Sequence, residues 1–197
     1  NHSLALYSKW LLLPSLIMWV AFNDFRIESK KILYLALIFS FFGDALLSLQ
    51  FINANFFIFG LLAFFCAHCF YIWLNLNKIG AKFSFSIFIA ILPMLAWAVY
   101  LLKMAHEKAG GLFIPVCAYS AILCGLYYSA IVAREKLSRA NWAILFYGVV
   151  LFIASDSMIA INKFIIKTPF FDFAIMFTYI LAQFMIVYAY IRNEKNA

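Results

Sequence analysis

"LFIASDSMIAINKF" occupies residues 151–164, near the end of an apolar run that begins around residue 140. A helix needs roughly 20 such residues to cross the hydrocarbon core of a bilayer, and this run supplies them. Inside it stands an aspartate, Asp156. A charge near the bilayer centre costs about 2.5–3.5 kcal/mol on the insertion scale, so pairing or use has to compensate it. The rest of the chain supports the membrane reading. Of 197 residues, 68% are hydrophobic and 12% charged. A soluble domain is nearer half apolar and a quarter charged. Twenty-four phenylalanines would overfill a soluble core of this size. The apolar runs have helical length, not the ten-residue alternation of a membrane barrel.

Seven spans are expected, near 4–22, 31–52, 56–76, 83–103, 110–132, 140–161 and 173–191. The loops between them are short and leave no room for a soluble domain. The expected fold is an all-α integral membrane protein, one polytopic helical bundle over residues 1–197, with seven transmembrane helices visible and eight in the full protein. Lys and Arg counts orient the bundle. Arg26, Lys30, Lys31, Lys78, Lys82, Arg134, Lys136, Arg139, Arg192 and Lys195 fall on one side; Lys103, Lys108, Lys163 and Lys167 fall on the other. The richer side is expected to be cytoplasmic, and with it the C-terminus. An eighth helix ahead of Asn1 would return the N-terminus to the same side. A Phe-, Ile-, Lys- and Asn-heavy composition suggests an AT-rich bacterium and its inner membrane. Cys66, Cys69, Cys117 and Cys124 all fall within apolar runs and read as small buried hydrophobes, not as a disulfide framework. The net charge of +7 is spread over short loops, which suits topology and lipid headgroups rather than nucleic acid.

Few ionisable groups remain inside the spans: Lys9, Asp44, His68 and Asp156. At 1.5 Å per residue, Asp44 lies about 12 Å, Asp156 about 9 Å and Lys9 about 8 Å from the outer ends of their spans, with His68 deeper at about 18 Å. Two aspartates and a lysine in one layer can compensate one another if their helices meet. Their neighbours repeat at helical spacing. Ser40, Asp44 and Ser48 share a face beside Gly43; Gly60, Phe64, His68, Tyr71 and Asn75 form a stripe; Ser155 and Asp156 lead to Asn162 and Lys163; Tyr179, Gln183 and Tyr190 line the last span. Each has a plain structural reading. Lone Ser, Gln or Tyr residues in a membrane often bind helix to helix, and Lys9 or Lys163 can snorkel to an interface. Two carboxyls at one depth are harder to treat as packing, because buried ionisable groups in a membrane are functional by default.

Several segments, in order, resemble the YhhN family of lysoplasmalogenases. They are "YSKWLLLP" (7–14), "FSFFGDALL" (39–47), "GLLAFFCAHCFYIWL" (60–74), "IPVCAYSAIL" (114–123), "LFIASDSMIAINKF" and "TYILAQFMIVYAY" (178–190). One departure is visible: Lys9 is followed by Trp10 where the family commonly has Pro. The resemblance implies eight helices and hydrolysis of the vinyl ether of lysoplasmalogens, giving a fatty aldehyde and a glycerophospho-ethanolamine or -choline. It marks Asp44 and Asp156 as catalytic, with His68, Tyr71 and Ser155 in support. It matches Lys163 to the family's helix-end lysine and places Tyr119 on the Val-x-x-Tyr helix.

The chemistry suits those residues. A vinyl ether has no carbonyl to attack; its slow step is protonation of the β-carbon to an oxocarbenium ion. Water then adds, and the hemiacetal collapses to aldehyde and alcohol. Such a site needs one carboxyl held protonated and another to stabilise the cation and activate water, as in glycosidases. Asp44 and Asp156 are expected to share a proton, His68 and Tyr71 to orient a carboxyl or the water, and Lys9 or Lys163 to meet the substrate phosphate. Ser40, Tyr119, Tyr179 and Gln183 are expected to line the cavity. No cofactor or metal is called for. The partners expected are the lysophospholipid and the bilayer, not nucleic acid.

Two other classes compete. A zinc-dependent lipid amidase would need about three converging histidines, and the chain has His2, His68 and His106, far apart in sequence. A proton-coupled small transporter or lipid-binding protein would also bury carboxylates, but no convincing repeat between the halves accompanies them.

Overall fold

The computed structural model describes residues 2–23, 27–77 and 79–195, with side chains described within 11–23, 29–77 and 79–193. Seven α-helical segments follow one another: α1 (His2–Ala21), α2 (Ile27–Ser48), α3 (Asn55–Leu76), α4 (Phe85–Ala109), α5 (Phe113–Val132), α6 (Arg139–Phe164) and α7 (Pro169–Lys195). Short 3-10 turns occupy Gly110–Leu112 and Ala133–Glu135. No strand occurs among the described residues.

The expected count of seven transmembrane helices is corrected. Five helical stretches are long and apolar enough to cross a membrane: Ser29–Ser48, Asn55–Leu76, Phe85–Glu135, Arg139–Phe164 and Pro169–Asn193. A sixth, Leu11–Ala21, is apolar but shorter. The physical reason lies at residues 85–135. Hydropathy divides this region into two spans with a loop, but helical backbone runs through it without an unwound break. The chain nonetheless turns between α4 and α5 at Gly110, whose φ of 52° and ψ of −128° lie outside the helical region and suit a residue without Cβ. α4 then packs back along α5.

Local chemistry sets the other boundaries. Ser84 Oγ accepts from the Ile87 N–H at 3.3 Å and caps α4; Ser138 Oγ accepts from the Asn141 N–H at 3.3 Å and caps α6. α2 stops at Ser48, short of the expected residue 52, and Asn53 Oδ1 accepts from the Asn55 N–H at 2.9 Å to start α3. α4 and α6 run past their expected ends, which carries Lys103, Lys108 and Lys163 onto helical turns.

α2 packs along α3 and α6 along α7; α3 also meets α5, and α1 touches both α2 and α7. Lipid is as apolar as leucine, so close backbone approach and polar contacts, not burial, must hold such helices together. Glycines permit that approach. A Cβ on Gly43 would lie 2.6 Å from the Phe64 ring, and one on Gly148 would lie 3.0 Å from Met185 Cβ. The core gathers around Phe152, whose ring meets His68, Phe64, Tyr71 and Tyr179. α4 is the loosest member: of its residues, Met94, Ala98, Ala105 and Ala109 are buried, and Pro93 interrupts its hydrogen-bond ladder.

Candidate active site

Where α3, α5 and α6 converge, three polar side chains meet inside the apolar bundle. Tyr119 on α5 donates its hydroxyl to Asp156 Oδ2 at 2.7 Å. His68 on α3 places Nε2 3.7 Å from the same oxygen, close enough for charge to be felt but too far for a hydrogen bond. The His68 side chain is fully buried; the Phe64 backbone one turn back is within hydrogen-bonding reach of its ring, and no side chain is bonded to either ring nitrogen. The ring is held by packing instead, edge-on to Phe152 at 4.8 Å and to Tyr119 at 5.6 Å between centroids.

Asp44 is reached from α7 by a second tyrosine. Tyr71 donates to Gln183 Oε1 at 2.6 Å, and Gln183 Nε2 donates to the Tyr179 oxygen at 3.3 Å. With that oxygen occupied as an acceptor, the Tyr179 proton is left for Asp44, with which its hydroxyl is in hydrogen-bonding contact. The two carboxyls act on each other electrostatically across the site. Each is therefore addressed by one buried phenol: Asp156 by Tyr119, Asp44 by Tyr179.

Asp156 and Tyr119 open onto a narrow apolar cleft of ≈ 50 Å³, walled by Phe57, Phe64 and Phe164 among others. Lys163 is not on the cleft wall, but its Nζ donates to Gln50 Oε1 at 3.0 Å and lies 4.7 Å from the centre of the ring of Phe57, which is. Seven residues along α6 separate Lys163 from Asp156, a rise of about 10 Å.

The expected site residues divide accordingly. Asp156, His68 and Tyr119 come together, and Asp44 stands off the cleft wall with Tyr179, near enough to act on Asp156 electrostatically. Tyr71, Gln183, Tyr179 and Ser40 form a buried network behind them, with Ser40 facing the Tyr71 hydroxyl; of the four residues expected to line the cavity, Tyr119 is the one on the cleft wall. Ser155 points away: its hydroxyl donates to the Ile175 carbonyl at 3.1 Å and clips α6 to α7. Lys9 lies in the first half of α1, outside the described side chains. Among the described residues, no three of His, Cys, Asp and Glu gather as a metal site would need. Sequence reasoning missed Ser157, which lines the cleft beside Asp156, and Trp97, whose indole N–H donates to Ser157 Oγ at 3.0 Å. An indole four residues after Pro93 was the available signal.

A polytopic helical bundle with acidic and phenolic groups at the wall of an apolar cleft defines an integral membrane protein with a polar centre among its helices. Comparison with known proteins narrows the class. The model of the YhhN family matches residues 4–190. The chain belongs to the YhhN family. It is 30% identical over 166 residues to lysoplasmalogenase TMEM86B of Mus musculus, covering 84% of this chain and 66% of that protein. It is 27% identical over 168 residues to lysoplasmalogenase TMEM86A of Homo sapiens, covering 83% and 66% respectively. The chain thus spans just under two thirds of the length of these relatives. No solved structure matches it.

Proposed function

We propose that this protein is a lysoplasmalogenase, hydrolysing the vinyl ether of a lysoplasmalogen to a fatty aldehyde and a glycerophospho-headgroup. The observation that carries the reading is Asp156: a carboxyl bonded by a buried phenol, on the wall of an apolar cleft, with a lysine about 10 Å further along the same helix. That spacing suits the substrate. Seven bonds separate the vinyl β-carbon from the phosphorus, roughly 8 Å at the advance per bond of an extended chain. With the phosphate at Lys163, the double bond reaches Asp156.

One carboxyl, protonated, delivers its proton to the β-carbon, and the α-carbon becomes an oxocarbenium ion. The other carboxylate stabilises that cation and takes a proton from the water that adds to it. The hemiacetal then breaks its bond to the glycerol oxygen, which takes the proton held by the second carboxyl, while the hemiacetal hydroxyl gives its proton to the first carboxylate and becomes the aldehyde. The sum is addition of one water, and both carboxyls end as they began. Tyr119 and Tyr179 fix the two carboxyls by donating to them, as preorganised donors do in a water-poor site. His68 sits where a hydrogen bond to Asp156 can tighten once substrate is bound. The basic-residue bias supports a cytoplasmic C-terminus in a bacterial inner membrane, which would set the cleft toward the outer leaflet.

The test is aldehyde release by detergent-purified protein given a lysoplasmalogen and, separately, its saturated alkyl-ether analogue. Aldehyde from the vinyl ether alone is the expected result. No aldehyde from folded protein overturns the assignment.

A further inference from the structure

The cleft at Asp156 is too short for the whole lipid. Along α6 it runs from Asp156 to Phe164, about 12 Å. The glycerophosphate side of the substrate uses roughly 8 Å of that. A lipid tail spans about half of the 30 Å hydrocarbon core, or about 15 Å, and has to leave the cleft.

A second cavity lies beside the first, on the neighbouring face of α6. It lies between α4 and α6, is open along one side, holds ≈ 540 Å³ and has an almost wholly apolar lining. Ser157 lines both cavities. The Trp97 indole, bonded to Ser157 Oγ at 3.0 Å, stands at the threshold. From Ser157 the groove follows α6 back to Phe146, about 16 Å, which is the length of one tail. The groove spans α6 from Ile161 to Phe146, and most of its length lies on the side of Ser157 away from Lys163, as the tail lies away from the phosphate. Pro93 and Met94 form its α4 wall, Tyr127 its α5 wall.

We infer that the α4–α6 groove is the binding site for the substrate's hydrocarbon tail, joined to the Asp156 cleft past the Trp97–Ser157 hydrogen bond. This rests on the lysoplasmalogenase reading for the identity of the tail. The headgroup lies at the Lys163 end, the vinyl ether at Asp156, and the tail along the groove toward the middle of the membrane. Trp97 and Ser157 position the tail where it leaves the reacting carbon.

Val150 lies on the groove seven residues before Ser157, about 10 Å away. That distance accommodates roughly eight carbons of an extended tail. Val150→Trp should therefore act as a stop. The experiment measures kcat/KM on lysoplasmalogens with 8- and 16-carbon tails. The 16-to-8 ratio should fall at least tenfold in Val150→Trp. It should stay within twofold in Ile114→Trp, where the added ring falls on an exposed face outside both cavities. Tyr147→Ala, which opens the groove instead of filling it, should shift preference toward tails longer than 16 carbons and carries the test if Val150→Trp fails to fold. Ratios that do not move in either groove variant overturn the tail site while leaving the enzyme assignment standing. The same two tail lengths are also titrated as saturated alkyl-ether analogues. Length-dependent loss of binding in Val150→Trp, with no aldehyde from the wild type on any tail, keeps the tail site and overturns the enzyme assignment.

Discussion

Tyr119 and Asp156, 37 residues apart in the chain, meet through a 2.7 Å hydrogen bond inside the membrane-spanning part of the bundle. The phenol donates, so the carboxyl it addresses is held in one orientation at the cleft wall. Hydrogen bonds to a charged group contribute about 1.5–3 kcal/mol. Tyr119→Phe keeps the ring and removes the donor. Expected is a fall in kcat of about 10- to 100-fold with KM little changed, the pattern of an interaction that matters most in the transition state. Steady-state aldehyde release measures it.

The two carboxyls themselves are the stronger test. Asp44→Asn and Asp156→Asn preserve shape and hydrogen-bonding capacity but cannot exchange a proton. Each should lower turnover by about 100-fold or more, the range of general acid–base catalysis, in protein that still elutes as one species in detergent. Undiminished activity in either variant would remove the two-carboxylate mechanism.

His68 is buried with no side chain bonded to either ring nitrogen. Such groups cost stability, and natural proteins retain them where function requires it. His68→Leu is expected to keep or raise the melting temperature while lowering kcat at least tenfold. A variant that loses stability and keeps its turnover would make His68 a packing residue.

Gly43 precedes Asp44 and faces the Phe64 ring, where a Cβ would sit 2.6 Å from ring carbons. That ring is wedged edge-on against Phe152 and Tyr179 and has little room to retreat. Gly43→Ala should push α2 from α3, destabilise the protein by about 1–3 kcal/mol and disturb Asp44 with it. Thermal unfolding in detergent and turnover should fall together.

Lys163 lies off the cleft wall, against Phe57 and away from the reacting bond. Lys163→Gln should raise KM several-fold with kcat nearly unchanged, because a phosphate contact stabilises ground and transition states alike. Raising the salt concentration should shrink the difference between variant and wild type, since the contact is partly exposed. A fall in kcat with unchanged KM would place Lys163 in the chemistry instead.

Much was legible in the sequence, because a bilayer makes hydropathy decisive. Apolar runs of spanning length fixed an all-helical membrane protein, and a polar residue inside such a run is conspicuous by its cost; Asp44, His68 and Asp156 were found that way. Spacing placed residues on helical faces, but it does not say which faces meet. Tyr119 and Tyr179 are two of eleven tyrosines, and only the packing of α5 on α6 and of α7 on the α2–α3 pair gives each a carboxyl to address. Ser155 and Ser157 flank Asp156 in the chain, yet one turns to α7 and the other to Trp97 on α4, a division set by which neighbour stands on each side of α6. The division between α4 and α5, by contrast, was legible, because Lys103, His106, Glu107 and Lys108 interrupt the apolar run just before the turn at Gly110. What the sequence by itself determined is the burial of each residue type, because transfer from water to lipid depends on the side chain alone. Which buried groups touch was decided by the tertiary structure, because contact depends on the rotation and crossing of whole helices.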